Sequence, residues 1–200
     1  MWISFIRHGR LNSTIEPMTI TSFHEWLKRY DVDSMSRECN IPIETIEAVE
    51  SANLIVSSDQ RRAVQSAAEL MNSLSFVQNS LFREVEVPSS FFAPEWFKCK
   101  PGTWCFIGRA LWMVGYHKDV ESYKEARGRA KEAANMLHHY AMVHGKIAIV
   151  GHSYFNTMIG AELRAMGWSG PPIFHRKPWG YTKYTFHEAM NGSVLNTKLT

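Results

Sequence analysis

The sequence predicts an α/β protein, a three-layer α/β/α sandwich around a mostly parallel central sheet. Short apolar strands alternate along the chain with longer segments whose apolar residues recur at helical spacing. Helices that connect such strands make right-handed crossovers, which keep the strands parallel. Three of the strands end in polar clusters, and the carboxyl ends of parallel strands form the edge where ligands bind. The predicted fold therefore brings these clusters to one edge of the sheet.

The predicted strands are runs of apolar and β-branched residues bounded by turn-forming residues. They cover residues 2–6, 53–57, 81–87, 146–150 and 181–186, with a last strand near 194–199. We expect the first of these to be a buried central strand. Pro88 stops the third.

The predicted helices carry apolar residues at positions i, i+3, i+4 and i+7. The first begins after a cap at Thr21 or Ser22, and we expect it to pack on the sheet. Its apolar face comprises Phe23, Trp26, Leu27 and Tyr30. Further helices are predicted at 43–52, 63–74, 105–114, 121–143 and 154–166. Gly145 ends the long helix at 121–143.

Segment 88–116 differs from the rest of the chain because it is rich in aromatic residues, proline and glycine. It is interpreted as an insertion that covers the functional site. The alternative is a local hydrophobic subcore under a long loop, and the two interpretations are compatible. No linker divides the chain, so residues 1–200 are predicted to form a single domain that includes this insertion or lid.

Composition excludes several classes of protein. Apolar residues form 45% of the chain and charged residues 20%, as in globular proteins and unlike disordered ones. The formal net charge of +3 is too small to predict a nucleic-acid-binding protein. Cys39, Cys99 and Cys105 are odd in number and lack C-x-x-C spacing, so no disulfide framework or zinc ribbon is predicted. With neither a signal peptide nor a membrane-spanning apolar run, we expect a cytoplasmic protein.

The three polar clusters at strand ends contain the candidate functional residues. They are residues 7–9 (Arg-His-Gly), residues 57–62 (Ser-Ser-Asp-Gln-Arg-Arg) and residues 151–153 (Gly-His-Ser). Two arginines and two histidines gathered at one sheet edge form a pocket for a doubly charged tetrahedral anion, above all a phosphoryl group. The helix after the third cluster adds its positive N-terminal end.

In these stretches the chain resembles the histidine phosphatase superfamily, which includes the cofactor-dependent phosphoglycerate mutases and many phosphomonoesterases. Residues 7–9 resemble the R-H-G signature after the first strand. Residues 57–67, S-S-D-Q-R-R-A-V-Q-S-A, are similar to the motif S-S-P-L-x-R-A-x-Q-T-A. Residues 150–152 resemble the segment with the strand-end histidine, and residues 82–84 resemble an L-R-E segment that often carries the acid. The resemblance covers residues 2 to about 160 and implies a phosphoglycerate mutase-like fold.

The resemblance also implies a catalytic set. His8 is the nucleophile that takes up the phosphoryl group, while Arg7, Arg62 and His152 hold its oxygens. Glu84 protonates the leaving oxygen and then activates water. Glu86 remains an alternative acid, because residues two apart on a strand face the same side.

Four further residues are candidate substrate-binding groups. Gly9 allows close backbone approach, and Ser58, Asn12 and Ser153 can add hydrogen bonds, although serine and asparagine are also common at turns and caps. The arginines supply the positive charge, so no metal or other cofactor is implied. The expected partner is a small phosphorylated substrate, with neither nucleic acid nor a membrane. The oligomeric state is left open.

The sequence departs from the family pattern at three positions. Asp59 stands in place of the usual proline, and Leu11 and Thr14 stand where many members have a small hydroxyl residue and an asparagine. The glycine-containing continuation typical of the mutases is missing after Glu84. The sequence therefore predicts a phosphomonoesterase that acts through a phosphohistidine. The alternatives are a phosphoglycerate-mutase-type phosphotransferase and a phosphate-binding regulatory protein of low activity.

Overall fold

The computed structural model describes residues 1–30, 33, 40–71, 76–173 and 177–187. Its strands form one sheet in the order β3-β2-β4-β1-β5, in which only β5 runs antiparallel to its neighbour. The strands are β1 (Trp2–Arg7), β2 (Leu54–Ser58), β3 (Val77–Asn79), β4 (Lys146–Gly151) and β5 (Tyr181–Thr185). The helices are α1 (Ile20–Tyr30), α2 (Ile43–Glu50), α3 (Arg61–Met71), α4 (Pro101–Met113), α5 (Tyr123–His144) and α6 (Ser153–Ala165). The predicted fold class is confirmed.

The two faces of the sheet carry separate apolar clusters, because alternate residues of a strand point to opposite sides. One cluster combines Ile3 and Phe5 of β1 with residues of α5 and α6. The other combines Ile6 of β1 with Val49 of α2 and Ala67 of α3. The sheet is therefore the middle of three layers, and its carboxyl edge stays open for the site.

Helix α5 is specified locally at both ends. The Ser122 hydroxyl accepts a hydrogen bond from the Glu125 N–H, and the Glu125 side chain accepts one from the Ser122 N–H. Gly145 follows the last turn with φ of 77°, a left-handed conformation that glycine adopts without steric cost. The predicted end of this helix is confirmed.

The predicted third strand, 81–87, is wrong. Strand β3 comes earlier and pairs in parallel with β2 through Val77–Asn79. It leads into a 3-10 turn, Ser80–Phe82, which Asn79 caps with its side chain. After this turn the chain is irregular, and Val85 is buried in the main core without pairing to a strand. The alternation of apolar and charged residues thus reflects burial of an irregular segment.

Helix α1 differs from its prediction at its start and in its packing. It begins at Ile20, earlier than predicted, because the Thr19 hydroxyl accepts the N–H of Ser22 at 3.2 Å. The buried Phe23 packs with Trp104 of α4 in a small separate cluster rather than on the sheet. The helix therefore joins α4 beside the sheet edge.

The aromatic side chains of segment 88–116 lie in two different apolar clusters and at the surface. Trp112 is buried in the main core, while Trp104 forms the small cluster with α1. Phe106 is 74% exposed. The last predicted strand, 194–199, lies outside the described residues, as does Cys39. No helix in the described ranges is both long and apolar enough to cross a membrane.

Candidate active site

The carboxyl ends of β1 and β4 bring two histidines together. These strands pair in parallel with Arg7 opposite Gly151, so His8 and His152 leave the sheet side by side. The His8 N–H donates to the Gly151 carbonyl at 3.0 Å, which extends the ladder by one residue. The two imidazole rings are buried, with 5.3 Å between their centroids. Strand pairing thus joins the first and third polar clusters.

The His8 ring is held in one tautomer. Its Nδ1 lies 2.8 Å from the Gly9 carbonyl oxygen, which can only accept, so Nδ1 carries the proton and Nε2 keeps its lone pair. Burial lowers the pKa of His8 well below its usual value, and the charges of Arg62 and Arg7 lower it further. At neutral pH His8 is therefore uncharged, and its Nε2 can act as a nucleophile.

His152 is also neutral in this environment. Burial lowers its pKa well below the usual value, and the next largest cause is the charge of Arg62. Neither of its ring nitrogens has a hydrogen-bond partner among the residues that the structure describes. A buried polar ring of this kind gains free energy when a ligand supplies the missing hydrogen bond. An anionic ligand would also favour its protonated form.

The buried guanidinium of Arg62, in the first turn of α3, is held by the side chains of Gln60 and Tyr30. Its Nη2 donates to Gln60 Oε1 at 3.0 Å. Its Cζ lies 5.3 Å from the centre of the Tyr30 ring, and the same ring packs edge-on against His8 with 6.5 Å between centroids. Tyr30 thus holds both the cation and the imidazole at the site.

Glu84 is held at the N-terminus of α6. Its carboxylate accepts hydrogen bonds from the Phe155 N–H at 2.9 Å and the Tyr154 N–H at 3.4 Å. The N-cap residue of this helix, His152, makes no side-chain capping bond, so Glu84 satisfies these N–H groups instead. The Glu84 N–H donates to Gln60 Oε1 at 3.0 Å. Gln60 therefore links the acid segment to the arginine.

Asp59 provides a second link between the same two segments. Arg83 donates to it from Nε at 2.7 Å and from Nη2 at 2.5 Å. This hydrogen bonding raises the pKa of Arg83 above its usual value. The residue that replaces the usual proline therefore holds the chain just before Glu84.

The clustered residues open into a cavity of about 900 Å³. Its lining includes Arg7, His8, Arg62 and Glu84, which come from three separate stretches of the chain. The geometry combines a neutral nucleophilic ring, two guanidinium groups and a carboxylate in one partly enclosed space. This combination can position a phosphoryl group and stabilise the charge that develops on it.

No protein-family model and no curated protein matches the chain by sequence. Its structure is similar to that of a mycobacterial glucosyl-3-phosphoglycerate phosphatase in complex with VO3, with 17% identity, a TM-score of 0.61, and 94% of this chain and 92% of that chain covered. It is also similar to a phosphoserine phosphatase from Entamoeba histolytica in complex with 3-phosphoglyceric acid, with 17% identity, a TM-score of 0.55, and 92% and 90% of the chains covered. The chain therefore has the phosphoglycerate mutase-like fold.

Within the phosphoglycerate mutase-like fold, the remaining predicted site residues lie in different surroundings. Ser153, the first residue of α6, lines the cavity. Ser58 is buried at the end of β2, where its hydroxyl accepts an N–H from the following turn at 3.3 Å. The Gly9 N–H donates to the Ser66 hydroxyl at 2.8 Å. Asn12 is exposed in the loop after β1 and is not among the lining residues of the described chain.

The structure places Glu84 and its rival Glu86 in different positions. The Glu86 side chain is exposed, although it also lines the cavity. Only Glu84 binds the N-terminus of α6 among these two carboxylates. The strand geometry that kept Glu86 in consideration is absent, since this segment is irregular.

Three residues of this site are not predicted from the sequence. Gln60 lies inside the second motif, two residues before Arg62. Its position in that motif is the only feature of the sequence that indicates a role in the site. The sequence predicts Tyr30 only as part of the apolar face of α1. Arg109 of α4 lies in the aromatic segment, where nothing in the sequence indicated that it binds the backbone carbonyls that follow Glu84.

Proposed function

We propose that this protein is a phosphomonoester hydrolase that acts through a phosphohistidine at His8 on a small phosphorylated substrate. The observation that carries the proposal is the neutral His8 ring, with Nδ1 protonated and Nε2 available, which shares one cavity with two arginines and lies 5.3 Å from the buried ring of His152. Two structurally similar proteins, a glucosyl-3-phosphoglycerate phosphatase and a phosphoserine phosphatase, support the same reaction class.

In the first step, Nε2 of His8 forms a bond to phosphorus as the ester P–O bond breaks. The leaving oxygen takes a proton from the Glu84 carboxyl group and departs as an alcohol. Arg7, Arg62 and His152 hold the non-bridging oxygens, whose negative charge offsets the cost of placing cations together. The buried position of His152 makes its hydrogen bond to such an oxygen strong.

In the second step, the Glu84 carboxylate takes a proton from a water molecule as that water attacks phosphorus. The N–P bond breaks, inorganic phosphate is released, and both His8 and Glu84 return to their starting states. Ser153, Ser58, Gly9 and Asn12 are proposed as additional hydrogen-bonding groups around the substrate. The arginines supply the positive charge, so the proposed mechanism needs no metal or other cofactor.

We propose that the chain forms a single domain, that segment 88–116 covers the cavity, and that the protein acts in the cytoplasm. Cys99 and Cys105 are free cysteines, which is common in a reducing compartment. The partner is a small phosphorylated molecule rather than nucleic acid.

Phosphate release from an activated ester such as p-nitrophenyl phosphate tests the proposal. The native protein should turn the ester over, and His8→Ala should lower the rate on the order of a thousandfold or more. Equal activity in both proteins would contradict the role of His8. Transfer of the phosphoryl group to an added phosphorylated acceptor, without release, would indicate the mutase reaction instead.

The assignment of the acid is tested with two matched variants. Glu84→Gln should slow hydrolysis of an alkyl phosphate about a hundredfold, because the alkoxide leaves without a proton, and should slow formation of the phosphohistidine from p-nitrophenyl phosphate much less. Glu86→Gln should leave both reactions nearly unchanged. The opposite result would assign the acid to Glu86.

A further inference from the structure

The cavity that contains His8 is much larger than a phosphate group. Its volume of about 900 Å³ lies in the upper part of the range for sites that bind whole small molecules. One continuous face of α4 forms a wall, and its lining residues are Gly102, Cys105, Phe106, Arg109, Ala110 and Met113. Their spacing of three and four residues places all of them on the same side of the helix.

The α4 wall lies where the leaving group of a substrate must go. In an in-line displacement the leaving oxygen stands opposite His8 and therefore faces the acid, Glu84. Arg109 of α4 binds the two residues that directly follow this acid, donating to the Val85 carbonyl and, at 2.8 Å, to the Glu86 carbonyl. The alcohol part of an ester that contacts Glu84 thus also meets α4.

The surface of this wall is mainly apolar. Phe106 is 74% exposed and Met113 is 62% exposed, although both line the cavity. Trp26 and Leu27 of α1 contribute further apolar lining. Arg109, the one charged residue on this face of α4, is occupied by the two carbonyls and lies over the Tyr154 ring at 4.4 Å.

Charges in the rest of the cavity are balanced. Arg7 and Arg62 belong to the phosphate site, and the acid Glu84 carries its proton when substrate binds. Apart from these, the lining among the described residues contains three full cations and two carboxylates. The cations are Lys28, Lys118 and Arg109, and the carboxylates are Glu86 and Asp119. Lys28 already forms an ion pair with Glu25 at 3.0 Å. Glu86 and Asp119 then match the remaining cations, Lys118 and Arg109, so the described part of the lining offers no surplus positive charge for a second anionic group, such as the carboxylate of a phosphoglycerate.

From this arrangement we infer that the substrate is a phosphate monoester of an apolar alcohol, with an alkyl or aryl group that packs against the α4 wall. The inference rests on the proposed phosphatase function and specifies its substrate class. Burial of the apolar group against Phe106 and Met113 removes both surfaces from water, which favours such esters over polar ones.

A series of unbranched alkyl phosphates from ethyl to hexyl tests the inference. Their leaving groups have similar basicity, so the chemical step stays constant and chain length reports on binding. We expect kcat/KM to rise about fourfold with each methylene, which corresponds to about 0.8 kcal/mol. Hexyl phosphate should then exceed 3-phosphoglycerate and phosphoserine in kcat/KM by at least about tenfold.

Two variants locate the effect. Phe106→Ala should reduce the dependence on chain length, since it removes the exposed ring from the wall and alanine is well tolerated in a helix. Phe92→Ala is the matched control, because Phe92 lies in the same segment, is 92% exposed and is not among the lining residues. It should retain the full dependence.

The failures of the two proposals are distinguishable. Turnover with no dependence on chain length, or with phosphoglycerate or phosphoserine preferred, would overturn the substrate class and leave the phosphatase function in place. An unchanged dependence in Phe106→Ala would overturn the α4 wall as the binding surface. Absence of phosphate release from every ester, p-nitrophenyl phosphate included, would overturn both proposals.

Discussion

At the level of residues, the two buried histidines should make stability depend on pH. Folding lowers the pKa of His8 and of His152, so below about pH 6.5 the unfolded chain binds protons that the native protein does not. The free energy of unfolding should therefore fall as the pH falls, by up to about 1.4 kcal/mol per pH unit for each histidine. Above this range the two histidines contribute no slope.

Urea unfolding between about pH 7.5 and about pH 5 measures this slope. His152→Ala should reduce it, whereas His117→Ala, at an exposed position outside the site, should leave it as in the native protein. If the native protein and His152→Ala showed the same slope of unfolding free energy against pH, His152 could not be buried and neutral in the native state.

Gln60 is the residue that couples the phosphate-binding arginine to the acid segment. Its Oε1 accepts from both Arg62 and the Glu84 N–H, so Gln60→Ala leaves two donors without this partner. We expect kcat/KM to fall about tenfold, as for loss of a hydrogen bond to a charged group. Gln78→Ala, with an exposed side chain on β3, is the control. Equal kcat/KM values in the two variants would show that Gln60 does not couple Arg62 to the acid segment.

At the level of elements, the close contact between α4 and the segment after Glu84 can be tested at one glycine. A Cβ at Gly108 would lie 2.5 Å from Val87 Cγ1 and 2.7 Å from the Pro88 carbonyl oxygen. Gly108→Ala should therefore lower the free energy of unfolding by about 1–3 kcal/mol, despite the better helix propensity of alanine. Gly102, in the same helix, has no atom within 4 Å of a Cβ.

Gly102→Ala is thus the matched control and should leave stability unchanged or raise it by up to about 1 kcal/mol. Chemical denaturation of the two variants provides the comparison. If both glycines tolerate alanine equally, the contact between α4 and Pro88 is looser than described.

The elements that the sequence predicts correctly are those with a strong local signal. Strands β1 and β4 are mostly apolar and are followed by polar clusters, and α5 has both a capping box and a terminal glycine. The strand prediction around Glu84 is wrong because the apolar and charged residues of this segment alternate as in a strand. The residues that hold the segment in its irregular conformation, Gln60 and Asp59, lie elsewhere in the sequence. Local periodicity carries no information about such partners.

The candidate site divides in the same way. His8, His152, Arg7 and Arg62 directly follow strands or open a helix, so the fold class alone brings them to one edge. Arg109 depends on how α4 packs over the cavity. That packing arises from long-range contacts between aromatic side chains, and the sequence does not indicate which of these side chains contact one another.

At the level of the whole molecule, the site is assembled from β1, α3, the segment before Val85 and the start of α6. An oxyanion bound there contacts elements that are distant in sequence, so it should stabilise the entire fold. At a concentration one hundred times its dissociation constant, vanadate should add about 2.7 kcal/mol to the free energy of unfolding. Arg62→Ala should abolish the shift, and the exposed neighbouring Arg61→Ala should retain most of it. Similar shifts in both variants would place the bound anion elsewhere.

A covalent phosphohistidine at His8 distinguishes the proposed mechanism from direct attack of water on the ester. Glu84→Gln protein mixed with p-nitrophenyl phosphate and quenched in alkali should contain phosphohistidine, because the activated ester leaves without an acid while release by water lacks its base. Peptide mass spectrometry should locate the phosphoryl group on His8, with none found in the variant that also carries His8→Ala. Phosphate on any other residue, or turnover without a covalent adduct, would contradict the account.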